Sequence, residues 1–246
     1  MGDVDLANTV LSGQRVAILG GSSGIGFAVA EAAIAAGASV VVGSSQLSKV
    51  DAARARLGGE ASGQVVDVSD EASVAAFFDN AGALDHLVFT AGDSGGGMPP
   101  PDFAQLDIDA ARKGANVRFW GALAAIKHAL PRLKPTGSIT LTDGLLARRP
   151  RKGFPLASAF GGAIEHLVPA LALDLAPIRI NSVCPGLVLT EMTRQIPPQY
   201  IEQMTSGQPV PRPGRPEELA GAYLHLMTST YTTGQVLVLD GGSSIA

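Results

Sequence analysis

A single cysteine, Cys184, stands in the 246 residues, so no intrachain disulfide braces the fold. Charge is sparse: 16% of positions, 18 basic against 22 acidic side chains, for a net of -4. That balance supplies no positive field for a polyanion and excludes nucleic acid as a partner. None of the four histidines stands at ligand spacing from another, no Cys-x-x-Cys occurs, and the carboxylates do not cluster along the chain. No metal site is expected. Residues Met1 to Gln14 carry Asp3 and Asp5 where a secretion signal would be basic, and a cytoplasmic location is expected. The most apolar stretch, Phe27 to Val42, is interrupted by Glu31, Gly37 and Ser39. It falls short of the ~18 continuous apolar residues of a membrane span, so no membrane partner is expected.

What the chain does have is apolar side chains, 46% of the total, and 30 glycines without a repeating period. A single domain over residues 1–246 accommodates them, with no linker or internal repeat. Short β-branched runs alternate with Ala-rich stretches of helical period, the pattern of parallel strands joined by crossover helices. Strands are expected near Arg15–Leu19, Val40–Gly43, Gln64–Val66, His86–Phe89, Ser138–Thr142, Arg179–Val183 and Gln235–Leu239. Helices are expected over about Ile25–Ala36, Lys49–Leu57, Glu71–Asn80, Asp107–Leu133, Leu156–Ala176 and Pro216–Thr228. Asp70 suits an N-cap and Pro216 a first turn. The fold class is α/β, a doubly wound seven-stranded parallel sheet of Rossmann type with helices on both faces. Two Gly/Pro-rich stretches, Asp93–Pro101 and Thr190–Pro213, break the alternation and read as active-site loops, the second a substrate lid around Tyr200.

After the first strand, Leu19-Gly20-Gly21-Ser22-Ser23-Gly24-Ile25-Gly26 leads straight into a helix. Glycines at this spacing let backbone N–H groups approach a pyrophosphate at the positive end of the helix. These residues resemble the short-chain dehydrogenase/reductase family, whose Thr-Gly-x-x-x-Gly-x-Gly motif falls on Leu19, Gly20, Gly24 and Gly26, with Leu19 in place of Thr. The resemblance continues through Asp67-Val68, where the family contacts adenine, and Ala91-Gly92, the second half of its Asn-Asn-Ala-Gly motif, with Phe89 and Thr90 in place of the asparagines. Asn116 falls at the helix-kinking Asn, and Pro185-Gly186 with Thr190 matches the Pro-Gly-x-x-x-Thr that holds the nicotinamide. Gly234 and Asp240-Gly241-Gly242 match the C-terminal strand and turn. The resemblance implies a nicotinamide cofactor touching Gly20, Ser22, Ser23, Gly24, Ile25, Gly26, Ser44, Ser45, Asp67, Val68, Ala91, Gly92, Pro185, Gly186 and Thr190. It also implies a homotetramer or homodimer, to which the Ala-rich faces of the two longest helices are suited.

The second strand ends in Gly43-Ser44-Ser45-Gln46, without the acid that would bind a ribose 2′-hydroxyl and repel a 2′-phosphate. Lys49 and Arg54 follow, so NADP(H) is favoured and NAD(H) stays open; a capping role for Ser44 and Ser45 is the competing reading. The family's proton donor is a Tyr, assisted by a Lys four residues later and by a Ser on the fifth strand, and this chain lacks all three. Its tyrosines are Tyr200, Tyr223 and Tyr231 only. Leu156 and Phe160 stand at the Tyr and Lys positions, and Asp143 or Gly144 at the Ser position. Asp143, with a pKa raised by apolar neighbours, Asn116 and Tyr200 are therefore the candidate catalytic residues. Asp93 and Ser94 border the presumed substrate space, and Arg148, Arg149, Arg151 and Lys152 form a basic run at its mouth. Cys184 reads as a packing residue. The expected function is hydride transfer between NADP(H) and a small carbonyl, alcohol or activated alkene with a non-standard proton donor. The alternatives are a cofactor-binding sensor or partner subunit without turnover, or a non-redox lyase or isomerase in the same cleft.

Overall fold

A computed structural model describes residues 10–92 and 103–246. Its frame is a seven-stranded sheet in the order β3-β2-β1-β4-β5-β6-β7. Every pairing is parallel, from Arg15↔Ser39 between β1 (Arg15–Leu19) and β2 (Ser39–Ser44) to Ser182↔Val236 between β6 (Arg179–Pro185) and β7 (Val236–Leu239). The strand order reverses between β1 and β4 (Leu84–Phe89), and in such sheets a crevice for ligands opens beyond the strand ends at that reversal.

Each face of the sheet carries its own core. On one side lie α1 (Gly24–Ala35), α2 (Leu47–Leu57) and α8 (Pro216–Thr228), packed on Val16, Ile18, Val40, Val42 and Val183. On the other lie α3 (Glu71–Ala81), α5 (Gly121–Ala129) and α6 (Pro155–Asp174), packed on Ala17, Leu19, Leu87, Leu141 and Ile180. Alternate residues of one strand thus serve opposite cores, which is why these strands read as continuous apolar runs. Asp70 caps α3 by accepting from the Ala72 N–H, as its position predicts.

Several boundaries differ from the expectation. The edge strand β3 runs Ala61–Val65 rather than 64–66; its Ala-Ser-Gly-Gln sequence carries no β signal and is drafted by the ladder to β2. Strand β5 starts at Leu133, which pairs with Leu84 ahead of a register shift, and extends to Thr142. The single helix expected over 107–133 is broken into α4 (Ile108–Ala115), a π-helical turn at Asn116–Trp120, and α5. In the turn the Gly121 N–H reaches back to the Asn116 carbonyl. Inside the stretch 190–213 a further helix, α7 (Pro198–Thr205), forms. Among the described residues α6, not the stretch 27–42, is the helix long and apolar enough to cross a bilayer. It instead joins β5 to β6 and buries Ile164 and Val168 on the sheet. The loop expected over Asp93–Pro101, with Asp93 and Ser94, lies outside the described residues.

Candidate active site

The turn after β1 is held by contacts only glycine permits. Gly20 has φ +87°, and a Cβ there would stand 2.6 Å from the Ala91 nitrogen and 2.8 Å from Thr90 Oγ1. A Cβ on Gly26 would collide with the Gly20 carbonyl and Thr90 Oγ1. Thr90, at the position of one of the family's asparagines, donates from Oγ1 to the Leu19 carbonyl at 3.2 Å and so ties the turn to β4. At the mouth of α1, Ser23 makes no side-chain cap and the first turn holds no acid, which leaves its N–H groups to face an anion. Gly24, at φ +54°, meets the methyl of Thr190, a Cβ standing 3.1 Å away. Gly20, Gly26 and Ala91 therefore meet at one turn with Thr190 beside Gly24, whereas Gly92 packs against Arg118. Thr193, absent from the sequence expectation, fixes Thr190: its Oγ1 accepts from the Thr190 N–H at 2.7 Å and donates to the Val188 carbonyl at 2.7 Å. Gly186 follows Pro185 at the end of β6, where a Cβ would press on Asp240.

Beyond β2, the N-cap of α2 is Gln46, so Ser44 and Ser45 do not cap that helix. Ser45 and Lys49 are exposed, and the Arg54 guanidinium reaches Asp51 at 3.8 Å across a solvent-exposed gap. Asp67 turns on itself, accepting from the N–H and Oγ of Ser69, and these bonds lower its pKa. Val68 lies where Gly121 allows α5 to close in, a Cβ there standing 2.8 Å from the Val68 carbonyl.

A cleft of about 450 Å³ opens between α4 and the start of α6. Asn116, Leu156 and Phe160 line it together with Leu106, Ile108, Arg112 and Trp120. Three positions that the resemblance singles out thus converge, one polar and two apolar, and no tyrosine joins them. Tyr200 lies on α7, 55% exposed and outside this wall; Tyr231 is fully exposed. Tyr223 is buried and shares a 2.7 Å hydrogen bond with Thr142 Oγ1. The other cleft residues are legible in hindsight, because Ile108, Arg112, Ala115 and Asn116 recur at helical spacing on one face.

Asp143 does not line this cleft. It sits 4% exposed after β5, where its Oδ2 accepts from Ser182 Oγ at 3.0 Å. Its neighbours are Cys184 of β6 and Glu165 of α6, the ligand-type atoms of the three lying within 4.8 Å of one another. Its pKa is pushed up to about 6 by burial, with the Glu165 carboxylate adding to the effect. The expected rise is present, with burial as its first cause. The expectation that the carboxylates do not cluster is likewise corrected: three separate elements bring Asp143, Glu165 and Cys184 together, which no linear spacing reveals. Of the basic run, Arg148 is spent on Glu165 at 2.7 Å and Arg149 on the Ser243 carbonyl.

Residues 20–244 match the family model described as enoyl-(acyl carrier protein) reductase. A short-chain dehydrogenase/reductase from Acremonium sp, ucsE, is 38% identical over 96% of this chain and 97% of its own length. The chain belongs to the short-chain dehydrogenase/reductase family. Among solved structures, the MalC reductase/Diels-Alderase from Malbranchea aurantiaca superposes with a TM-score of 0.90 at 30% identity, covering 98% of this chain and all of that one. A small-chain dehydrogenase in complex with NADPH superposes at 0.76 with 31% identity over 95% of this chain and 99% of that one.

Within this short-chain dehydrogenase/reductase, the glycine turn after β1 lies at the start of α1, and Asn116, Leu156 and Phe160 line one cleft. As in the family generally, it is an oxidoreductase scaffold for NAD(P). The cradle fits that group on physical grounds: glycines that a Cβ would fill, an uncapped helix start, and no carboxylate in either. The π-helical turn keeps Asn116 exposed to the cleft with no side-chain hydrogen bond among the described residues.

Proposed function

We propose that this chain is an NADP(H)-dependent reductase or dehydrogenase that moves hydride to or from a small carbonyl, alcohol or activated alkene, without a side-chain acid at the Tyr position. The observation that carries the reading is the meeting of Leu156 and Phe160 with Asn116 in one cleft. NADP(H), when bound, supplies or takes the hydride. Gly20, Ser22, Ser23, Gly24, Ile25 and Gly26 would hold its pyrophosphate, with Ser44, Ser45 and Lys49 at the ribose phosphate. Asp67, Val68, Ala91 and Gly92 would border the adenine side, and Pro185, Gly186 and Thr190 the nicotinamide.

The chain's own work in the cleft is to bind and exclude water. Leu156 and Phe160 offer surface and no proton, and Asn116 offers one polar contact. Loss of a positioned acid costs 10²–10⁴ in rate, roughly 3–5 kcal/mol. An activated alkene lessens that penalty, because hydride addition at its β-carbon breaks the C=C π bond and leaves the electron pair delocalised into the activating group, and the α-carbon takes its proton from water in a later step. Asp143, turned beneath α6, is left out of this path. The same apolar walls support a second reading, a cofactor-binding protein without hydride turnover, or cleft chemistry of the kind the name of the similar MalC reductase/Diels-Alderase implies for that protein.

NADPH absorbance followed with ketones, quinones and enones separates these. Consumption with enones that Asp143→Asn leaves unchanged supports the proposal. Loss of turnover in Asp143→Asn at equal NADPH affinity would move the proton to Asp143, and tight binding without consumption favours the second reading. Failure to bind either NADPH or NADH removes both. The reading extends to a second copy of the chain: α6 buries only Ile164 and Val168 fully, and Leu173 on it is 83% exposed, so a homodimer or homotetramer through this face is expected. Sedimentation velocity checks it.

A further inference from the structure

We propose that Asp143, Glu165 and Cys184 form a binding site for a divalent cation of zinc type, distinct from the substrate cleft. The three side chains come from the end of β5, from the middle of α6 and from β6, and their ligand atoms lie within 4.8 Å of one another. Proximity alone is common among acids. Here a second observation points to a ligand: Asp143 Oδ1 is buried without a hydrogen-bond partner, in a residue only 4% exposed. The one donor beside it is the weak S–H of Cys184. A buried carboxylate oxygen left open in this way costs free energy, and a cation removes the cost.

The surroundings are arranged as an outer shell. Ser182 Oγ holds Asp143 Oδ2 at 3.0 Å, and Arg148 Nε holds Glu165 Oε1 at 2.7 Å. Each carboxylate therefore has one oxygen fixed from outside, as donors behind metal ligands do. Two carboxylates and a thiolate around a divalent ion, with the Arg148 guanidinium outside, leave the group neutral. A mixed sulfur and oxygen set suits zinc over calcium or magnesium, which take oxygen ligands in larger number. Glu165, 14% exposed beside Arg148, marks the side from which the ion enters. Binding is not a redox step: Zn–S and Zn–O bonds form as the Cys184 thiol and any protonated carboxylate release their protons to solvent.

Cys184 is the chain's single cysteine, so thiolate ligation reports on this site alone. Chelator-treated full-length protein titrated with Co²⁺ is expected to develop a thiolate-to-cobalt charge-transfer band that saturates at one equivalent per chain and is displaced by Zn²⁺. Cys184→Ser should abolish the band, and Asp143→Asn and Glu165→Gln should weaken binding more than tenfold, with NADPH affinity retained as proof of folding. No band in the wild-type chain overturns the proposal whatever the variants do. Zn²⁺ binding of equal affinity in the wild type and all three variants overturns it too, since it then belongs to surface histidines.

Discussion

The two ends of the cofactor crevice were under opposite constraints. At the dinucleotide end, the glycines of the β1–α1 turn touch Thr90, Ala91 and Thr190 so closely that almost any side chain would collide. At the proton end, Leu156 and Phe160 line an open cleft where larger polar side chains would find room. Phosphate binding uses backbone N–H groups, so only the absence of side chains protects it. Proton transfer uses side-chain termini, which can be exchanged without disturbing the fold, because function resides in the site and not the scaffold.

The largest expected effect breaks this contrast outright. Leu156→Tyr combined with Phe160→Lys should raise NADPH-dependent ketone reduction by about 10²–10⁴, the value of a positioned acid; no gain in steady-state rate would mean the scaffold around the cleft has drifted as well. Next, in chelator-treated protein, comes the pH dependence of stability. Asp143 has a folded pKa of about 6, above the ordinary carboxylate value of about 3.9, so its contribution is most favourable below that value and is lost as pH rises through 6. His86, buried and held neutral with a pKa of about 4, works in the other direction, losing stability as pH falls below about 6.5. Asp143→Asn should add on the order of 3 kcal/mol at pH 8 and little at pH 4, unmasking a steady loss on acidification. Urea titrations across that range measure it; an equal gain at both pH values would show that burial of the charge is not the cause.

At the dinucleotide end, Gly26→Ala should weaken NADPH binding by about two orders of magnitude, roughly 2.7 kcal/mol. Gly162→Ala, with nothing within 4 Å of its Cβ position, should leave affinity intact. Fluorescence titration of the pair tests whether packing rather than glycine content protects the turn. The smallest effect is expected at Tyr223→Phe, which removes the bond to Thr142 and costs about 1 kcal/mol in stability with no change in NADPH affinity.

Much of the fold was legible because parallel strands buried on both faces leave continuous apolar runs, as Val40-Val41-Val42 does. The edge strand Ala61–Val65 was legible only at its end, near Gln64, since its first residues carry no β signal and are held by the ladder to β2 and by the Ser62 Oγ bond to the Val40 carbonyl. The helix break at Asn116–Trp120 left only the Asn as a trace, and α7 was hidden among prolines. In the site, the glycine turn and the missing Tyr and Lys could be read directly, because each depends on residue type at fixed local spacing. The roles of Arg112, Thr193 and Glu165 depend on which helix or loop lies opposite, and sequence carries no record of that distance.

By itself, then, the sequence determined the alternation of strands and helices, the glycine turn after β1 and the apolar residues at 156 and 160, since these follow from local propensity and from the presence or absence of side chains. Only the tertiary structure decided that Asp143 faces Glu165 and Cys184 instead of the cleft. The direction of a side chain at the end of a strand depends on register, and residues 143, 165 and 184 become neighbours only when α6 folds back across β5 and β6.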